Sequence, residues 1–252
     1  MQNSLISTPC VNVRKNARVK VVAGMLVQYL ETFTDSVVVR DETRPIGMVG
    51  GREIIQGVYK NPSSDFFEMK QVEEITDSRL NIVVPEVTLE DLISLWKRVG
   101  RAFAVIDMGN SDYSVISVKK LLEIGINNNI ESTISDIPKK KIVTFDDDAS
   151  FGDVMKMMLE NKTRKIMLEG STKFINDRII IETLEKFDFL LNNDGFLDVP
   201  VNIASLDDAK TVSENLTITE ISKIMYGMSQ PLIIYEDRMV SPWDVCMILG
   251  KN

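Results

Sequence analysis

The sequence predicts an α+β fold built from four tandem copies of one small β-α-β-β-α unit. Three observations carry this expectation. A helix-cap signature recurs along the chain, an amphipathic helix pattern follows each cap, and a pair of short apolar runs follows each helix. Repetition of this kind sets the whole architecture, so it governs every later assignment.

The helix starts are the clearest marks. Thr88-Leu89-Glu90-Asp91, Ser150-Phe151-Gly152-Asp153 and Thr217-Ile218-Thr219-Glu220 each place a hydroxyl at the cap and an acid three residues on. In that pattern two orphan backbone N–H groups are satisfied reciprocally, by the hydroxyl and by the carboxylate. The first copy is expected to begin its helix near Asn16, a good cap without the matching acid. Behind two of the caps, Val154, Met157, Met158 and Leu159, and then Ile218, Ile221, Ile224 and Met225, recur at helical spacing.

Each helix leads into two short strands. The expected pairs are Ser36–Arg40 with Ile46–Val49, Ala102–Ile106 with Tyr113–Ile116, Lys165–Leu168 with Lys173–Ile175, and Leu232–Tyr235 with Arg238–Val240. In the last three copies the strands are joined by tight-turn chemistry: Met108-Gly109-Asn110, Glu169-Gly170-Ser171 and Glu236-Asp237. The strands are short and nearly unbroken in apolarity, which suits strands covered on both faces. Gly125–Asn129 and Asn192–Gly195 read as seams between copies, or as plain surface loops. The first seam divides the chain into residues 1–126 and 130–252, each expected to hold one pair of copies.

The unit resembles the cystathionine-β-synthase-type (CBS) domain in repeat length, element order and the end of its second strand. There the family carries a glycine, two apolar residues, Ser or Thr, two variable residues and Asp. The fourth copy reads Met239-Val240-Ser241-Pro242-Trp243-Asp244-Val245, without the glycine. The first reads Gly47-Met48-Val49-Gly50-Gly51-Arg52-Glu53, which keeps an acid but not the hydroxyl. The second has Lys120 and the third Ile179 where the acid would stand. The resemblance implies that the copies pair, first with second and third with fourth, into two Bateman-like modules. It also implies clefts for an adenosine-containing ligand: AMP, ADP, ATP or S-adenosylmethionine.

Such a ligand needs a carboxylate for the ribose hydroxyls, a hydroxyl and helix N-terminal N–H groups for phosphate, and apolar walls for the base. By resemblance Asp244 would hold the ribose and Ser241 the ribose or α-phosphate. Thr211 and Val212 would supply backbone contacts to adenine, with Gln230 and Pro231 on the opposite wall. Arg178 would face this site across the pair, and Glu53 would serve a second site in the first copy. Ser241 with Pro242 also reads simply as a helix start, because proline suits the first helical position. Lys120 reads as a solvated lysine or a phosphate partner, and Ile179 as the mark of an empty cleft.

Composition narrows the function classes. The chain has 252 residues, a formal net charge of −8, no histidine and two cysteines. The acidic balance argues against broad nucleic-acid binding, which needs a basic face. The absence of histidine removes the usual general base, and no Walker-type loop or nucleophile motif is present. Two distant cysteines, Cys10 and Cys246, fit a reducing compartment, and no apolar run is long enough to span a bilayer. The carboxylates Asp146, Asp147 and Asp148 offer a conceivable metal site but read more simply as a solvated turn. The chain is therefore expected to be a cytoplasmic, non-catalytic regulatory module, acting on a separate protein partner or as a homo-oligomer, with no membrane or nucleic-acid role. The alternative is a structural or interaction module whose ligand sites have decayed.

Overall fold

The computed structural model describes residues 8–28, 36–186 and 195–250. A short strand β1 (Thr8–Pro9) precedes repeat 1, which comprises β2 (Asn12–Arg14), α1 (Val19–Gln28), β3 (Ser36–Asp41), β4 (Arg44–Gly50) and α2 (Gly51–Lys60). A short helix α3 (Ser64–Glu68) leads on to repeat 2: β5 (Ile82–Val83), α4 (Leu89–Val99), β6 (Phe103–Gly109), β7 (Asp112–Ser117) and α5 (Val118–Asn127). Repeat 3 contains β8 (Thr144–Phe145), α6 (Phe151–Glu160), β9 (Lys165–Leu168), β10 (Lys173–Asn176) and α7 (Asp177–Lys186). After β11 (Asp207–Asp208) comes repeat 4, with β12 (Lys210–Val212), α8 (Ile218–Tyr226), β13 (Ile233–Tyr235), β14 (Arg238–Val240) and α9 (Pro242–Leu249). The four β-α-β-β-α units expected from the sequence are present.

Each repeat forms its own sheet. Its leading strand runs parallel to the first strand of the hairpin, whose two strands are antiparallel. Two strands cross between repeats. β1 precedes repeat 1 but pairs with β7 of repeat 2, and β11 precedes repeat 4 but pairs with β10 of repeat 3. The hairpin turns use positive φ where the sequence supplied glycine or asparagine, at Gly109 (82°), Asn110 (54°) and Gly170 (67°).

The expected caps form. Thr88, Ser150 and Thr217 hydroxyls accept from the backbone N–H of Asp91, Asp153 and Glu220 at 3.1, 3.1 and 3.2 Å. The first helix differs from expectation. It begins at Val19, and Asn16 lies in the preceding turn. There the N–H of Val19 donates to the Lys70 carbonyl at 3.1 Å, so a neighbouring segment does part of the work of a cap. Of the second seam, residues 192–194 lie outside the described residues.

Two large cores form between helices of different repeats. One joins Val22, Ile54 and Val58 of repeat 1 to Val154, Ile180 and Leu184 of repeat 3. The other joins Leu92, Trp96 and Leu121 of repeat 2 to Ile221, Met225 and Val245 of repeat 4. A smaller cluster of Val38, Met48, Phe103, Val105 and Val115 lies between the sheets of repeats 1 and 2. Fully burying one such aliphatic side chain contributes about 1.5–3 kcal/mol. A repeat alone would expose these helix faces, so the copies stabilise one another.

Candidate functional site

In repeat 4 the chain passes from β14 into α9 through Ser241, with Pro242 at the first helical position. The Ser241 N–H and hydroxyl both donate to Asp244 Oδ2, at 2.9 and 2.7 Å. Asp244 is only 6 % exposed, and its Oδ1 accepts from Lys140 Nζ. Both carboxylate oxygens are thus engaged, one in closing the helix and one in an ion pair. Lys140 comes from the linker between repeats 2 and 3, where Lys139 also pairs with Asp237. The sequence reading did not single out Lys140. Its only signal there is the basic run Lys139-Lys140-Lys141 after Ile137-Pro138.

The other candidate residues of this cleft fall on the sheet. Thr211 and Val212 lie on β12, opposite Ile234 and Tyr235 of β13. Gln230 and Pro231 lead into β13 and are held by repeat 3. Asn176 Nδ2 donates to Gln230 Oε1 and Lys165 Nζ to the Pro231 carbonyl, each at 2.7 Å. Arg178 is buried near the start of α7, a helix packed against α1 and α2 of repeat 1.

Repeat 1 has a parallel arrangement. Glu53 sits in the first turn of α2, and its Oε2 accepts from the Gly50 N–H at 2.9 Å. Its Oε1 accepts from Arg101 Nη2 at 2.5 Å, and Arg101 Nη1 also donates to the Ser36 hydroxyl at 3.2 Å. Arg101 belongs to repeat 2, so this pair spans two repeats. Beside it, Met48 and Asp77 exchange backbone hydrogen bonds at 3.0 and 2.9 Å. Two side-chain hydrogen bonds from Arg79, each 2.9 Å, hold the Asp77 carboxyl below its ordinary range, and the charge of Arg101 adds to this.

The remaining two helix starts are different. In repeat 2, Lys120 pairs with Glu123 on its own helix at 3.2 Å. In repeat 3, Asn176 Oδ1 accepts from the Ile179 N–H at 2.9 Å, and Ile179 is buried. A carboxylate still reaches that region, because Asp177 accepts from Arg164 Nε at 2.5 Å. In three of the four second helices an acid at the helix start therefore meets a base from outside that helix.

An open depression of about 480 Å³ lies elsewhere, around Thr144, Asp146, Asp148, Asp153, Met157 and Glu169. None of the candidate nucleotide-binding residues lines it, although Asp146 and Asp148 of the acidic turn do. Among the described residues no group of His, Cys, Asp and Glu is arranged to hold a metal ion, and no helix is long and apolar enough to cross a membrane.

Residues 134–173 match the CBS domain family. A protein of Methanocaldococcus jannaschii, described as a proposed archaeal homolog of γ-AMPK, superposes with a TM-score of 0.79 at 14 % identity, over 97 % of this chain and 98 % of that one. An uncharacterized conserved protein of Pyrococcus horikoshii superposes with a TM-score of 0.59 at 12 % identity, over 98 % of both chains. No curated protein sequence matches the chain.

Proposed function

Taking the chain as a CBS-domain protein of four repeats, we propose that it is a non-catalytic regulatory module that binds an adenine nucleotide in clefts between paired repeats. The pairs are 1 with 2 and 3 with 4. The observation that carries this reading is the acid–base couple at the helix starts of repeats 1 and 4: Glu53 with Arg101, and Asp244 with Lys140. A carboxylate suits vicinal ribose hydroxyls, and a cation suits phosphate. A nucleotide could take both partners at once, exchanging one ion pair for an ion pair to phosphate and hydrogen bonds from the ribose hydroxyls. S-Adenosylmethionine offers no phosphate to the cation, so the couple favours AMP, ADP or ATP.

Binding would regulate a separate protein by shifting the packing of the repeats. The shift can be no larger than the ligand's differential affinity for the two states. The test is a thermal-shift series with AMP, ADP, ATP and S-adenosylmethionine. At about a hundredfold the dissociation constant a true ligand adds about 2.7 kcal/mol of stability. The reading predicts stabilisation by the nucleotides that is diminished in Asp244→Ala; no shift with any of them would refute it.

One observation favours a second reading. Both oxygens of Asp244 are already bonded within the protein. If those bonds are purely structural, the chain is an interaction module indifferent to nucleotides, and the same series returns flat melting temperatures.

A further inference from the structure

The second helices of repeats 1 and 3 start against each other. α2 opens on Gly51 and α7 on Asp177, and the two helices pack together. A Cβ placed on Gly51 would stand 2.2 Å from Asp177 Oδ2 and 2.4 Å from its Cγ, so the carboxylate lies there only because the residue is glycine. Asp177 is 3 % exposed and held on both oxygens. Its Oδ1 accepts from the Arg178 N–H at 3.0 Å, and its Oδ2 from Arg164 Nε at 2.5 Å. In the same first turn of α2, Glu53 meets Arg101. One helix start thus carries the acid of repeat 1 and borders the acid of repeat 3.

The N-terminus of a helix receives phosphate well, through its N–H groups and its positive dipole end. At α2 that place is bordered by a carboxylate the protein itself supplies. Like charges repel, and more strongly where water is scarce. With the ribose on Glu53, a phosphate received at the start of α2 comes beside Asp177, and each further phosphate adds to the repulsion. Arg164 offsets this only in part, because its side chain is 38 % exposed and screened by water. Repeat 4 differs: its second helix opens on Pro242, and the group brought to Asp244 from outside the repeat is the cation of Lys140.

We propose that Asp177 of repeat 3 is the specificity-determining residue of the repeat 1 cleft, and that it restricts this cleft to nucleotides with few phosphates: AMP over ADP, and ADP over ATP. The inference rests on the nucleotide reading of the Glu53–Arg101 couple and names the ligand within that class. It also joins the cleft to repeat 3. A phosphate that presses on Asp177 presses on the contact between Gly51 and α7, and so on the packing of the two repeats.

Titration of adenosine, AMP, ADP and ATP into the full-length Asp244→Ala protein reads the repeat 1 cleft alone. AMP is expected to bind at least about tenfold more tightly than ATP. Asp177→Asn in the same background keeps the shape of the side chain and removes its charge. It should narrow the AMP-to-ATP gap at least about fivefold and leave adenosine affinity within about twofold. Arg164→Gln, at a partly exposed side chain, should widen the gap instead, and it decides the matter if Asp177→Asn does not fold. In Glu53→Ala, which leaves the repeat 4 cleft, Asp177→Asn should not alter the gap. ATP binding as tightly as AMP in Asp244→Ala, or a gap moved by neither Asp177→Asn nor Arg164→Gln, overturns the inference and leaves nucleotide binding standing. Absence of heat from all four ligands overturns the nucleotide reading of this couple, and the inference with it.

Discussion

Arg101 of repeat 2 grips Glu53 of repeat 1 at 2.5 Å, with both side chains nearly buried, at 12 % and 9 % exposure. The same arginine reaches Ser36, so one side chain ties the second-helix start of repeat 1 to the first hairpin strand of that repeat from across the pair. Removing it leaves a carboxylate with little water and no cation. Arg101→Ala is expected to cost about 2–3 kcal/mol, read as a shift in urea midpoint, because an orphaned charge is worse than no pair at all. The double variant Arg101→Ala with Glu53→Gln should recover part of that loss.

Gly51 marks where repeats 1 and 3 meet. A Cβ placed there would stand 2.2 Å from Asp177 Oδ2 and 2.9 Å from Asp177 Cβ. Asp177 is buried and held by Arg164, so it has little room to withdraw. Gly51→Val is expected to destabilise by at least about 2 kcal/mol through overpacking. Equilibrium unfolding checks this, with an unchanged result arguing against the contact between the repeats.

Acid should weaken the protein through its caps. Hydrogen bonds from the Ser150 hydroxyl and N–H hold the Asp153 carboxyl below its ordinary range. Those from the Thr217 N–H and hydroxyl do the same for Glu220. Depressed folded values mean the contribution is complete above the unfolded values, near pH 4, and is lost as pH falls through the folded ones. Melting temperature is therefore expected to hold between pH 7 and about 5 and to drop below about 4. Ser150→Ala should cost about 1 kcal/mol at neutral pH, with the gap to the parent protein narrowing in acid.

Cysteine reactivity offers a check on burial. Burial pushes the Cys10 thiol up to about 11, against a smaller opposing pull from Arg40, and Cys246 is fully buried. Native protein at pH 8 should resist iodoacetamide, while unfolded protein takes up two labels, one for each cysteine. Rapid double labelling of the native state would contradict the packing around β1 and α9.

Much of the fold was legible because its signals are local. Lys165–Leu168 and Arg238–Val240 form strands at the limits the sequence suggested, and the three hydroxyl caps close as their spacing requires. Asn16 misled because the start of α1 is satisfied by residues about fifty positions away, not by a side chain of its own. The candidate sites were legible only by halves. The acids Glu53 and Asp244 are set by helix position, which sequence reveals. Their cations come from 48 and 104 residues away, and a distance in space between such residues leaves no periodic trace.

The central claim is that the acid–base couples of repeats 1 and 4 are nucleotide sites. Titration calorimetry of AMP, ADP and ATP into the parent protein, Glu53→Ala and Asp244→Ala tests it most directly. The account predicts saturable heat for at least one nucleotide, with one of two sites lost in each variant and both lost in the double variant. Absence of heat for every nucleotide, or stoichiometry and affinity unchanged in the double variant, would contradict it.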